Sequence, residues 1–102
     1  MRLLALSIVL CLLSVSLVSA RPHFRIHVFK NDKMAGYGYD ILNNGKPFIH
    51  QAFIPAVAGN APFQTKKQAR SVARLVRKKI KQGIMPPTVS IAELQALNII
   101  PK

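Results

Sequence analysis

Gln64 to Gly83 reads as an amphipathic helix, and that helix constrains everything around it. Thr65 followed three residues later by Gln68 has the spacing of a capping box, which satisfies amide donors that a helix start leaves open, and Gly83 offers a left-handed stop. Ala69, Val72, Ala73, Val76 and Ile80 recur at helical spacing on one face, so that face must be buried. Lys66, Arg70, Arg74, Arg77 and Lys81 run down another side with Lys67 and Lys78 beside them, and no acid interrupts the stripe. A fold that satisfies both faces lays the apolar side on a second layer and turns the cations outward.

The second layer is legible upstream. His23 to Phe29 alternates, with Phe24, Ile26 and Val28 on one face and Arg25, His27 and Phe29 on the other, which predicts a strand. Asn31-Asp32-Lys33 is a polar turn, and Met34 to Leu42 reads as a second strand. Asn44-Gly45 is a type I′ hairpin signal, because both central positions of that turn need positive φ. Lys46 to Gln51 follows as the third strand. A two-residue turn at that position sets Ile41 opposite Phe48 and Tyr39 opposite His50.

Ala52 to Pro62 is apolar but punctuated by Pro55, Gly59, Asn60 and Pro62, so it predicts an irregular packed connection. Beyond the long helix, Pro86-Pro87 stops any continuation. Ser90 and Glu93 form a second capping box, and Val89 and Leu94 occupy the two positions of a hydrophobic staple. A short helix from Ile91 to Leu97 is expected, with Asn98 as its left-handed cap and Ile99 placed to reach Leu94. The expected fold class is therefore α+β: a three-stranded antiparallel meander packed by one basic amphipathic helix and closed by a short C-terminal helix.

Met1 to Ala20 has the organisation of a secretory signal, with Arg2, an apolar run from Leu3 to Leu13, and Val18-Ser19-Ala20 as a small-residue cleavage site. The expected division is residues 1–20 as signal peptide and residues 21–102 as a single exported domain, periplasmic or secreted, without a membrane span. Retention of the apolar run as an anchor is the alternative. Cys11, the only cysteine, falls in the leader, so the exported domain holds neither a disulfide nor a cysteine metal site. The full chain carries 15 Lys and Arg against 3 Asp and Glu. Residues 21–102 keep 14 of those cations and all the acids, a formal charge of +11.

Such a field favours an anionic polymer or lipid headgroup as partner, with a merely solvated helix face as the plain alternative. Lys66, Lys67, Arg70, Arg74, Arg77, Lys78 and Lys81 are the candidate anion-binding residues. Sequence-specific recognition of nucleic acid is not expected of an exported protein. Catalytic and metal-binding constellations are sparse. His23 and His27 stand about 13 Å apart on one strand at ~3.3 Å per residue, too far to share a metal. Pro22, lacking an N–H, breaks an amino-terminal copper site at His23. Asp32 lies in a turn and Glu93 is a cap, leaving Asp40 with Tyr39, His50 and Gln51 as a weak ligand patch or an ordinary hydrogen-bonded surface network. Ser71, Ser90 and Thr65 have no base in view.

Several separated motifs resemble one family. Gly36-Tyr37-Gly38-Tyr39-Asp40-Ile41, Ile49-His50-Gln51, Phe53-Ile54-Pro55-Ala56-Val57, Leu75-Val76, and Pro86-Pro87-Thr88-Val89 with Glu93-Leu94 look like domain of unknown function 4907, a family of small exported bacterial proteins typical of the Bacteroidota. The chain departs from that pattern at Tyr37, where the family tends to carry tryptophan, and in its uniformly basic helix. The resemblance implies no activity, ligand or cofactor. The functional expectation is a noncatalytic interaction module with an anion-facing helix and no cofactor. A structural partner protein using a sheet edge and the Phe53 to Val57 segment is the second reading, and a small enzyme the third.

Overall fold

The computed structural model describes residues 21–102, so the leader and Cys11 lie outside the described residues. The fold is α+β. Strands β1 (Phe24–Lys30), β2 (Tyr37–Asn43) and β3 (Lys46–Gln51) form one antiparallel sheet in the order β1-β2-β3. Helix α1 (Lys66–Lys81) packs across β1 and β2, and helix α2 (Ile91–Ala96) closes the far side.

The second strand starts later than the pattern at Met34 predicts, because Asn31 captures the turn. Its Oδ1 accepts from the N–H groups of Lys33 and Met34, an arrangement that competes with a strand ladder. The hairpin forms as expected, with Asn44 at φ 51° and Gly45 at φ 81°.

The register of β3 holds only beside that turn. Asn43 opposes Lys46 and Leu42 opposes Pro47, but Ile41 opposes Ile49, Asp40 opposes His50 and Tyr39 opposes Gln51. Phe48 is the extra residue of a bulge, so the expected pairs Ile41 with Phe48 and Tyr39 with His50 are each displaced by one. Pro47 has no N–H for the ladder, and the Phe48 ring settles against Phe24 at 5.5 Å between centroids.

The core is the expected apolar face. Ala69, Val72, Ala73 and Val76 of α1 are buried against Tyr39 and Ile41 of β2, with Phe24, Ile26, Val28 and Ile49 half-buried around them. The Ala52 to Pro62 connection contributes Ile54, and Phe63 beyond it bonds Tyr37 in both directions, N–H to C=O at 2.8 and 2.9 Å. That bridge continues the sheet beyond the end of β3.

Both helices are capped. Thr65 Oγ1 accepts from Gln68 N–H at 3.1 Å, but the reciprocal bond differs from a capping box: Gln68 Oε1 accepts from Gln64 N–H, one residue earlier. At the other end Gly83 N–H donates to Ile80 C=O and Ile84 N–H to Lys79 C=O, which satisfies two carbonyls of the last turn of α1. The box on α2 is complete, since Glu93 N–H donates to Ser90 Oγ and Ser90 N–H to Glu93 Oε1. Asn98 at φ 58° caps α2, and Ile99 N–H returns to Leu94 C=O. Six residues cannot hold a helix alone. Burial of Val89, Leu94 and Ile99 holds this one, each 9 % exposed or less.

Candidate functional site

The pleat assigns the charged strand residues to two surfaces. Core-facing positions on β1 are even, so Arg25, His27 and Phe29 lie on the sheet face opposite α1. Arg25 nevertheless lines a groove of 280 Å³ together with Ile26 and with Arg70, Arg74 and Arg77 of α1. The i, i+4, i+7 spacing of the helical arginines stacks them on the β1 flank, and Arg25 meets them from the strand. Four arginines thus line one space, and no carboxylate lines it. Planar guanidinium forks match the oxygens of carboxylate, sulfate or phosphate in pairs, so such a space is suited to an anion.

The other candidate cations are not part of this groove. Lys66 Nζ lies 5.9 Å from the Tyr37 ring centroid, within cation–π range. Lys67 borders a separate depression with Thr65, Ser71, Leu97 and Ile99. Lys78 and Lys81 are exposed. Lys79, on the opposite flank, is committed: its ammonium donates to Glu93 Oε1 at 2.7 Å and to Thr88 C=O at 2.6 Å. The Lys79 bond, with the Ser90 N–H behind it, holds the Glu93 carboxyl below its ordinary range.

Tyr39, Asp40, His50 and Gln51 do not converge. Asp40 and His50 occupy the outer sheet face, where Asp40 sits in a row between His27 and His50. His50 Nδ1 is 2.5 Å from Asp40 Oδ1, and His27 Nδ1 is 3.8 Å from Oδ2. The Phe29 ring stacks on His50 at 5.1 Å between centroids and 3° between planes, over Gly38, where a Cβ would lie 2.6 Å from the ring. Tyr39 and Gln51 face the other way. They line a 460 Å³ cleft with Ile49, Pro55, Val76 and the Pro86 to Val89 segment. Burial pushes the Tyr39 hydroxyl far above its ordinary range, so it stays protonated and is no base near neutrality.

The Phe53 to Val57 segment is partly consumed by the fold, with Ile54 in the core and Pro55 and Ala56 on the wall of that cleft. The three hydroxyls considered as nucleophiles are structural. Thr65 and Ser90 cap helices, and Ser71 Oγ donates to Lys67 C=O inside α1. Among the described residues no group of three His, Cys, Asp or Glu side chains has metal-binding geometry. No helix of the described residues is long and apolar enough to cross a membrane.

Arg25 and His27 are the residues sequence reasoning missed. Alternation placed them on the outer face, but joining Arg25 to α1 and His27 to Asp40 takes tertiary juxtaposition and the β1 to β2 register.

A family model described as Domain of unknown function (DUF4907) matches residues 27–96, from the middle of β1 to the end of α2. Asp40, His50 and the three arginines of α1 lie inside the match, and Arg25 lies just before it. No curated protein and no solved structure matches the chain.

Proposed function

The chain belongs to the DUF4907 family, a domain of unknown function, and on that premise we propose that it is a noncatalytic interaction module that binds anionic groups between β1 and α1. The observation that carries this reading is the meeting of Arg25 with Arg70, Arg74 and Arg77 around one groove without a carboxylate among its walls. Like charges gathered in this way repel, and a bound anion relieves that repulsion. The hydroxyls, each engaged in local helix bonds, and Tyr39, held neutral by burial, support the noncatalytic reading. Export belongs to the same proposal and rests on the leader pattern of residues 1–20.

The test replaces Arg70, Arg74 and Arg77 together by glutamine. Exposed charges contribute little to stability, so the triple variant should melt near the parent temperature. On immobilised heparin the parent should elute at high salt and the variant much earlier, with a shallower dependence of affinity on salt, because fewer counterions are released. Elution of both at the same salt would refute the reading.

A further inference from the structure

The groove contains more than arginines. At one end of the β1 to β2 ladder Asn44 N–H donates to His23 C=O at 2.9 Å, and at the other Asn31 N–H donates to Gly36 C=O at 2.9 Å. Bonded pairs in an antiparallel ladder recur every second residue, so Arg25, His27 and Phe29 turn their backbone groups toward β2. Phe24, Ile26, Val28 and Lys30 therefore turn theirs to the open side. Among the described residues nothing bonds those groups.

The groove lies across that open side. Arg25 stands on the outer face of the sheet and Ile26 on the inner face, so a space that touches both, and α1 as well, must straddle the edge of β1. The opposite edge is protected by two devices that proteins use against strand addition: Pro47 within β3 and the bulge at Phe48. β1 has neither a proline nor a bulge along its seven residues.

We propose that an acidic segment of a second protein adds to the edge of β1 as a fourth strand, its carboxylates held by Arg25, Arg70, Arg74 and Arg77, an inference that rests on the anion-binding reading above. Charge selects this occupant. A second copy of the chain would bring the same four guanidiniums into the groove, whereas a strand bearing carboxylates neutralises them. Spacing agrees, because side chains on one face of a strand recur every ~6.7 Å and helical residues four apart rise ~6 Å. Main-chain bonds to Phe24, Ile26, Val28 and Lys30 supply affinity for extended backbone, and the arginines supply the preference for acids.

The probe is a blocked hexapeptide alternating Glu and Val, compared with two isomers N-methylated at all three Val or at all three Glu. In an added strand only one alternate set of N–H groups faces β1. The parent peptide should bind with strong salt dependence. One isomer should lose about tenfold or more in affinity through its missing donors while the other keeps the parent value. Amide exchange at Phe24, Ile26, Val28 and Lys30 should slow when the parent peptide binds. Equal affinity of all three peptides, with no change in exchange, would overturn strand addition and leave simple charge attraction. Heparin retention without peptide binding would overturn this inference and keep the anion-binding reading. Failure of both ligands would overturn both.

Discussion

Gly38→Ala tests how closely the sheet is built around its middle strand. A Cβ at Gly38 would stand 2.6 Å from the Gln51 carbonyl oxygen and 2.6 Å from the Phe29 ring. Ordinary contact begins near 3.4 Å, so each neighbour must retreat by about 0.8 Å. The Phe29 ring can turn aside, but only by leaving His50. The Gln51 carbonyl is backbone, fixed by its place at the end of β3 opposite Tyr39. Overpacking of this kind costs roughly 1–3 kcal/mol. Removing glycine from the unfolded chain offsets about 0.4–1 kcal/mol. The net expectation is a loss of about 1–2 kcal/mol, or about 5–15 °C in melting temperature for a domain of this size. Thermal unfolding followed by circular dichroism gives the shift, and the ring-current displacement of the His50 imidazole protons reports whether Phe29 has moved. Adding Phe29→Ala should recover part of the loss and not all of it, because the carbonyl contact remains. A variant that melts at or above the parent temperature would refute the argument.

Gly45→Val should destabilise the domain by roughly 1–2 kcal/mol from backbone strain alone, since Gly45 has φ 81° and open space around it; an unchanged urea midpoint would mean that the turn tolerates a β-branched residue. Glu93→Gln should flatten the acid side of the stability profile. The folded carboxyl sits below its ordinary value of 4.5, so its contribution is present above that pH and fades as pH falls through the folded value. Urea unfolding at pH 7 and pH 3 should show a smaller difference for the variant than for the parent, and an equal difference would contradict the role given to Lys79. Intact mass of the protein recovered from its producing cell should correspond to a chain starting at Arg21 if the leader is cleaved, and retention of Met1 to Ala20 would favour the anchored reading.

The parts of the fold that were legible in the sequence are those that local chemistry decides. Asn44 and Gly45 fixed one hairpin because positive φ at two successive positions selects few residues, and Gly83 and Asn98 marked helix ends for the same reason. The buried face of α1 followed from spacing alone. What escaped depends on contacts across the chain. Phe48 becomes a bulge through Pro47 beside it and Phe24 two strands away, and no turn rule carries that information. The slip decided the polar residues: it set His50 beside Asp40. Separation of Tyr39 from Asp40 was within reach, because residues adjacent in a strand point to opposite faces. The stripe on α1 was visible as a stripe, but three of its seven cations share the groove, and the fourth member came from β1.

The asymmetry between the two margins of the sheet has a consequence for stoichiometry. A sheet open on both sides can hand each added strand on to the next molecule and so grow without limit. Here the bulge and Pro47 close the β3 margin, while β1 remains open beside a positively charged wall. Under the strand-addition proposal each domain then accepts one strand and has no second edge to offer, so a domain cannot link two partners into a chain.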